Sequence, residues 1–135
     1  MTFVADASVL ACWLLPDERH PVVDAALARL ATESAVAPTL LWFEVRNILI
    51  VSERRGRIDR VNTAEALRVL RALPIDIDAR TEEGPLLQLA RAHRLTVYDA
   101  AYLEIALRRN LPLATLDEAL VRAARGEGAI LLGAT

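Results

Sequence analysis

The sequence contains no lysine, so all 16 of its basic side chains are arginines. This absence excludes mechanisms that need an active-site lysine, including Schiff-base chemistry and the phosphate-binding P-loop. Glycine and proline are also scarce, with 5 and 6 residues, which excludes collagen-like and low-complexity chains. The single cysteine, Cys12, cannot form an internal disulfide, so the sequence favours the cytoplasm as its compartment.

Charge and aromatic content limit the possible binding modes. The formal net charge is −2 and no long basic run is present, which disfavours a generic, charge-driven nucleic-acid binder. Aromatic residues make up only 4% of the chain, a content that indicates too few rings for a base-stacking platform. The most apolar stretch, residues 35–51, contains Pro38, Glu44, Arg46 and Asn47 and is therefore not a membrane span.

The residues that are present favour one folded domain over residues 1–135. Hydrophobic side chains make up 54% of the 135 residues, which excludes intrinsic disorder. The mean hydropathy of +0.29 is high for so small a domain and suggests apolar surface covered by a partner or a second copy.

Short apolar segments alternate with helical patterns along the chain. Strands are predicted over 2–5, 35–37, 75–77, 112–115 and 129–131. Helices are predicted from Ser8, over 21–31, from Pro38-Thr39 to Arg55, and over 61–73, 81–93 (with Thr81 as N-cap), 98–109 and 117–125. This alternation predicts an α/β fold with a mostly parallel sheet covered on both faces.

Four carboxylates lie at a predicted strand end or in the helix beyond it: Asp6, Glu44, Asp99 and Asp117. Glu44 shares a helical stripe with Leu41, Val45 and Ile48, where a lone carboxylate is costly unless an arginine or a metal ion pairs with it. Each of the other three acids has a simpler interpretation as a helix N-cap or first-turn acid. Taken together, they are expected to gather at one edge of the sheet, where ligands bind in such folds.

Clustered carboxylates repel one another, and a divalent cation removes that penalty. Oxygen ligands select Mg²⁺ or Mn²⁺, whereas the isolated His20, His93 and Cys12 make a zinc site improbable. A carboxylate site of this kind on an α/β sheet suits phosphodiester hydrolysis.

The segments that carry these acids read VADAS (4–8), PTLLWFEVRN (38–47), YDAAYL (98–103) and ATLD (114–117). In order and spacing they resemble the four acidic motifs of PIN-domain ribonucleases, and most of all those of the VapC toxins of bacterial toxin–antitoxin pairs. The resemblance covers essentially the whole chain. It implies a three-layer α/β/α fold with a short-stranded, mostly parallel five-stranded sheet.

The resemblance also implies a function and a site. The function is that of a Mg²⁺- or Mn²⁺-dependent endoribonuclease that forms a homodimer and is blocked by a VapB-type antitoxin. Metal ligation is carried over to Asp6, Glu44, Asp99 and Asp117, and supporting roles to Ser8, Asn47 and Thr115.

Arg54, Arg55 and Arg57 form the one local basic cluster and are candidate contacts to RNA phosphates. A solvated helix end is the simpler and favoured interpretation, and Arg108 and Arg109 share the ambiguity.

Two other protein classes gather acids at strand ends but need residues that this sequence lacks. A response-regulator receiver needs a lysine, and a haloacid-dehalogenase-type phosphatase needs an aspartate where Ser8 stands. The alternative from another class is a catalytically silent PIN-fold module that acts only through a protein partner.

Overall fold

The computed structural model describes residues 2–15 and 20–133. Four strands and seven helices are defined within these ranges. In chain order they are β1 (Phe3–Ala5), α1 (Ala7–Leu14), α2 (Pro21–Arg29), β2 (Ala35–Pro38), α3 (Leu41–Arg54), α4 (Arg60–Ala72), β3 (Ile75–Asp78), α5 (Glu83–His93), α6 (Val97–Arg109), β4 (Leu113–Ala114) and α7 (Glu118–Gly126).

The strands form one parallel sheet in the order β3-β2-β1-β4. β1 lies in the interior of the sheet, and all three of its side chains are fully buried. Because successive side chains on a strand point to opposite faces, both faces of the sheet must be covered. Helices α1 to α4 contact one another as one group and α5 to α7 as another, with α6 packed against β1 and β2. The α/β/α architecture expected from the sequence is therefore confirmed.

Two predicted boundaries were wrong at the strands. Pro38 does not open a helix; it ends β2, opposite Asp78 of β3, and α3 begins three residues later. The expected fifth strand over 129–131 is a single bridge between Leu131 and Leu113. Since β4 is only two residues long, it offers almost no ladder on which a further strand could pair.

Thr81 is not the N-cap of α5, which begins at Glu83 with Glu82 before it. Pro85 lies in the first turn, where its missing N–H forfeits no helical hydrogen bond, and this fixes the start of the helix there.

Across the two described ranges, no helix combines the length and the apolar character needed to cross a bilayer.

Candidate active site

Asp6 lies directly after β1 and is almost fully buried, with 5% of its surface exposed. Its Oδ1 accepts hydrogen bonds from the Ser8 hydroxyl (2.6 Å) and from the Val9 backbone N–H (3.1 Å), so it is the N-cap of α1. Its Oδ2 accepts a hydrogen bond from the Thr115 hydroxyl. Burial raises the pKa of Asp6 above its ordinary value, against these three donors and with a contribution from the negative charge of Asp99.

Ser8 and Thr115 join the Asp6 segment to the chain after β4. The Ser8 hydroxyl accepts from the backbone N–H of Leu116 at 3.1 Å, and the Thr115 hydroxyl accepts from that of Asp117 at 3.0 Å. Each hydroxyl therefore donates to Asp6 and accepts from a backbone N–H of the segment after β4. This arrangement fixes Asp6 and Asp117 relative to each other.

Asp117 precedes α7 and caps it, because its Oδ1 accepts from the Leu120 N–H at 2.8 Å. Asp99 lies in the first turn of α6, where its N–H donates to the Thr96 hydroxyl at 3.0 Å. Burial raises the pKa of Asp99, and the charge of Asp117 raises it further. The helix-cap interpretation is thus correct for Asp6 and Asp117. It does not account for the repulsion between Asp99 and each of these two acids.

Glu44 lies in the first turn of α3 and is partly buried. Its Oε1 accepts a hydrogen bond of 2.5 Å from the hydroxyl of Tyr102, which is buried on α6. Burial raises the pKa of Glu44, and the charges of Asp99 and Asp6 raise it as well, whereas the Tyr102 hydrogen bond opposes them.

The four acids have no cationic partner within residues 2–15 and 20–133. Asp78 provides the contrast, because it also ends a strand of this sheet and is buried. Arg108 and Arg109 contact its carboxylate at 3.0 and 3.3 Å. Burial alone would raise the pKa of Asp78, but these arginines and the Arg80 N–H outweigh it and lower the pKa. The fold therefore neutralises Asp78 and leaves the other acids uncompensated.

The donor chemistry of this site fits a hard divalent cation. Carboxylate and hydroxyl oxygens are the ligands that Mg²⁺ and Mn²⁺ prefer, and each of the four acids repels at least one of the others. In the described part of the chain, however, no three His, Cys, Asp or Glu side chains are gathered closely enough to hold one ion as they stand. Holding one ion through three or more of these carboxylates would therefore require the side chains to draw together.

Comparison with known proteins identifies the family of this chain. The model of the PIN domain matches residues 3–126, which span all the elements described above. The chain belongs to the PIN-domain family.

Two proteins similar to this PIN domain come from Pyrobaculum aerophilum. Ribonuclease VapC3 is 32% identical over 124 residues, which cover 89% of this chain and 92% of the relative. The crystal structure of PAE2754 superimposes with a TM-score of 0.70 at 22% identity, covering 91% of this chain and 84% of that one. The second comparison supports the fold.

The remaining residues predicted from the sequence, Asn47 and the three arginines, either lie far from the acids or form no hydrogen bond with them. Asn47 is exposed, one helical turn from Glu44, and no hydrogen bond joins the two. Arg54 lies ten residues further along α3 than Glu44, a separation of roughly 15 Å in a helix. Arg55 and Arg57 follow it and are exposed. The structure does not bring this basic cluster to the acidic site.

Sequence reasoning missed Tyr102 as a member of the site. The available signal was its spacing, because it follows Asp99 by three residues on a helix and so lies on the same face. Its partner Glu44 is 58 residues away in the chain, which no local pattern reveals.

Proposed function

We propose that this PIN domain is a divalent-metal-dependent endoribonuclease and the toxin of a type II toxin–antitoxin pair. The observation that carries the proposal is the set of buried or partly buried, mutually repelling carboxylates that the described chain leaves without a cation, in contrast to Asp78, which it pairs with two arginines. Its similarity to Ribonuclease VapC3 supports RNA as the substrate.

Asp6, Glu44, Asp99 and Asp117 would hold the ion, which is Mg²⁺ or Mn²⁺. A bound divalent cation lowers the pKa of a water ligand and offsets negative charge on the phosphate in the transition state. Asp6 is positioned for this by Ser8 and Thr115, and Glu44 by Tyr102. Asp117 is held by its cap and by Thr115, so that it can ligate directly or through water.

The partners follow from the same similarity. A VapB-type antitoxin would inhibit the enzyme by supplying an amphipathic helix to an apolar groove and an arginine to the uncompensated acids. A homodimer would cover part of the exposed apolar surface, and the cytoplasm would be the site of action. Sedimentation of the purified protein at micromolar concentration tests association, and a clean monomer would contradict the homodimer.

The test of function is cleavage of end-labelled single-stranded RNA by the purified protein with Mg²⁺, with Mn²⁺ or with excess EDTA. Cleavage in either metal and none in EDTA is expected. Growth arrest on expression, relieved by the small protein of a neighbouring gene, tests the toxin role. A protein that binds its partner but cuts no RNA in either metal would instead be a silent binding module.

A further inference from the structure

The exposed aromatic rings of this chain are concentrated beside the acidic site. Of the six aromatic residues, Phe3 and Tyr102 are buried and Trp13 is partly buried. The other three are exposed: Trp42 (55%), Phe43 (70%) and Tyr98 (63%). Phe43 immediately precedes Glu44, and Tyr98 immediately precedes Asp99. The low aromatic content noted in the sequence therefore did not reveal where the rings lie.

Phe43 and Tyr98 line a single pocket of about 370 Å³. Glu44 and Asn47 complete its polar wall, and Leu40 lies at its apolar side. The volume is at the lower end of the range for small-molecule sites, about 300–1,000 Å³, and is large enough for one nucleobase. Because Glu44 forms part of the pocket wall, any occupant lies next to one of the four acids.

Trp42 packs against Phe43. The two rings meet edge to face with centroids 5.0 Å apart. The guanidinium of Arg46 lies 3.7 Å from the centroid of Trp42 and also donates to the Trp42 carbonyl. Trp42 is thus already in contact with a cation, whereas Phe43 keeps most of its surface free for another partner.

A stacking surface would add RNA binding that does not depend on charge. The acids repel phosphates, the net charge is −2, and the nearest cation on α3, Arg46, is engaged with Trp42. Stacking on aromatic rings binds single-stranded nucleic acid without relying on charge, since every base has a π-face. The exposed amide of Asn47 offers both a donor and an acceptor for a base edge.

We infer that Phe43, Tyr98 and Asn47 form a nucleobase subsite that holds a base flanking the scissile phosphate. The inference rests on the proposed ribonuclease function and names the residues that would bind a base of the RNA substrate. Loss of stacking on one base weakens binding by about 5- to 150-fold in comparable sites.

The test is a double-mutant cycle between the rings and the base. Once the cleavage site is mapped, short RNAs are made with one abasic nucleotide at each position next to the scissile bond. In the parent, one such abasic RNA should lose about 5- to 150-fold in kcat/KM. The Phe43→Ala/Tyr98→Ala variant should lose a similar factor on intact RNA, and the abasic nucleotide should then add less than about twofold.

Two single variants serve as controls. Tyr98→Phe keeps the ring and should keep the penalty of the abasic nucleotide. Val61→Ala removes an exposed apolar side chain on α4, 75% exposed, and should leave kcat/KM unchanged. Circular dichroism confirms that each variant is folded.

Additive effects of ring removal and base removal would overturn the inference while leaving the ribonuclease function intact. A variant that loses only dimer or antitoxin binding, with base dependence unchanged, would also overturn it and make the patch a protein interface. If the parent cuts no RNA, the ribonuclease proposal fails. Quenching of 2-aminopurine RNA by the parent, lost in the ring variant, would still support the subsite, and its absence in the parent would overturn it.

Discussion

Replacing Glu44 with glutamine separates two explanations of a partly buried carboxylate. If an arginine neutralised Glu44, the change would leave a buried guanidinium without its counter-charge. That loss would cost about 3–5 kcal/mol of unfolding free energy. The structure shows a different partner, the hydroxyl of Tyr102 at 2.5 Å, and repulsion from Asp6 and Asp99. Glutamine keeps an acceptor for Tyr102 and removes the charge.

The expected change in stability without metal is therefore small. A hydrogen bond to a charged group contributes about 1.5–3 kcal/mol and one between neutral groups about 0.5–1.5, so the substitution costs about 1 kcal/mol. Relief of repulsion and of burial of a charge offsets that cost. We expect Glu44→Gln to melt within about 4 °C of the parent in EDTA, whereas loss of an arginine pair would lower Tm by about 12–20 °C.

The effect of pH has a definite sign. Burial and neighbouring acids raise the pKa of Glu44 above its ordinary value of 4.5, so between that value and the folded-state pKa the folded protein binds more protons than the unfolded chain. The parent therefore loses stability as pH rises through the raised pKa. Glutamine does not titrate, so the free energy of unfolding of the variant should rise relative to that of the parent as pH increases over this interval. Well below pH 4.5 the difference between the two should not change with pH.

Glu53→Gln is the matched control. Glu53 lies on the same helix and accepts a hydrogen bond from the Thr63 hydroxyl at 2.6 Å, so the substitution is chemically equivalent but remote from the acids. Thermal unfolding of the parent and both variants is compared in EDTA and in Mn²⁺. Ion binding at 100 times Kd adds about 2.7 kcal/mol, and Glu44→Gln should gain less than the parent and Glu53→Gln.

A Glu44→Gln protein that melts far below the parent in EDTA, yet gains as much from Mn²⁺, would refute this reasoning. Glu44 would then be a structural acid, and the site would consist of three carboxylates.

Two further predictions concern the network around the acids and the paired Asp78. Thr115→Val deletes the hydroxyl that donates to Asp6, so it should lower the free energy of unfolding by about 1.5–3 kcal/mol and remove much of the cleavage rate. Thr115→Ser keeps the hydroxyl and should retain the stability and the rate. Urea unfolding and RNA cleavage measure the two effects. Arg108→Met leaves the buried carboxylate of Glu104 without its arginine and Asp78 with Arg109 as its remaining partner, and should cost about 3–5 kcal/mol with cleavage per folded molecule unchanged; a parental unfolding midpoint would contradict this.

Periodicity alone predicts most of this fold. The apolar runs of β1 and β2 are buried on both faces, and in α2 the buried Val23 and Ala26 recur at helical spacing. The errors at Pro38 and Leu131 arise where pairing partners decide the structure: β3 extends β2 through Pro38, and a two-residue β4 gives Leu131 only one bridge.

The candidate site was predictable to a similar extent. The strand-end rule locates Asp6, and Asp117 three residues beyond β4, but α6 follows α5 and not a strand, so the rule does not explain Asp99. Whether an acid has a counter-charge depends on residues far away in sequence. Asp78 meets Arg108, 30 residues on, and Glu44 meets Tyr102, 58 residues on. The local sequence pattern predicts neither contact.

The most direct test of metal-dependent RNA cleavage is the initial rate as a function of Mn²⁺ concentration, for the parent and for Asp99→Asn. The substitution keeps the shape of the side chain and removes its charge. The parent should be inactive in EDTA and saturate with Mn²⁺, while Asp99→Asn should be slower by at least about a hundredfold at saturation. Full cleavage in excess EDTA, or a parental rate from Asp99→Asn, would contradict the assignment of these carboxylates to a metal-dependent nuclease.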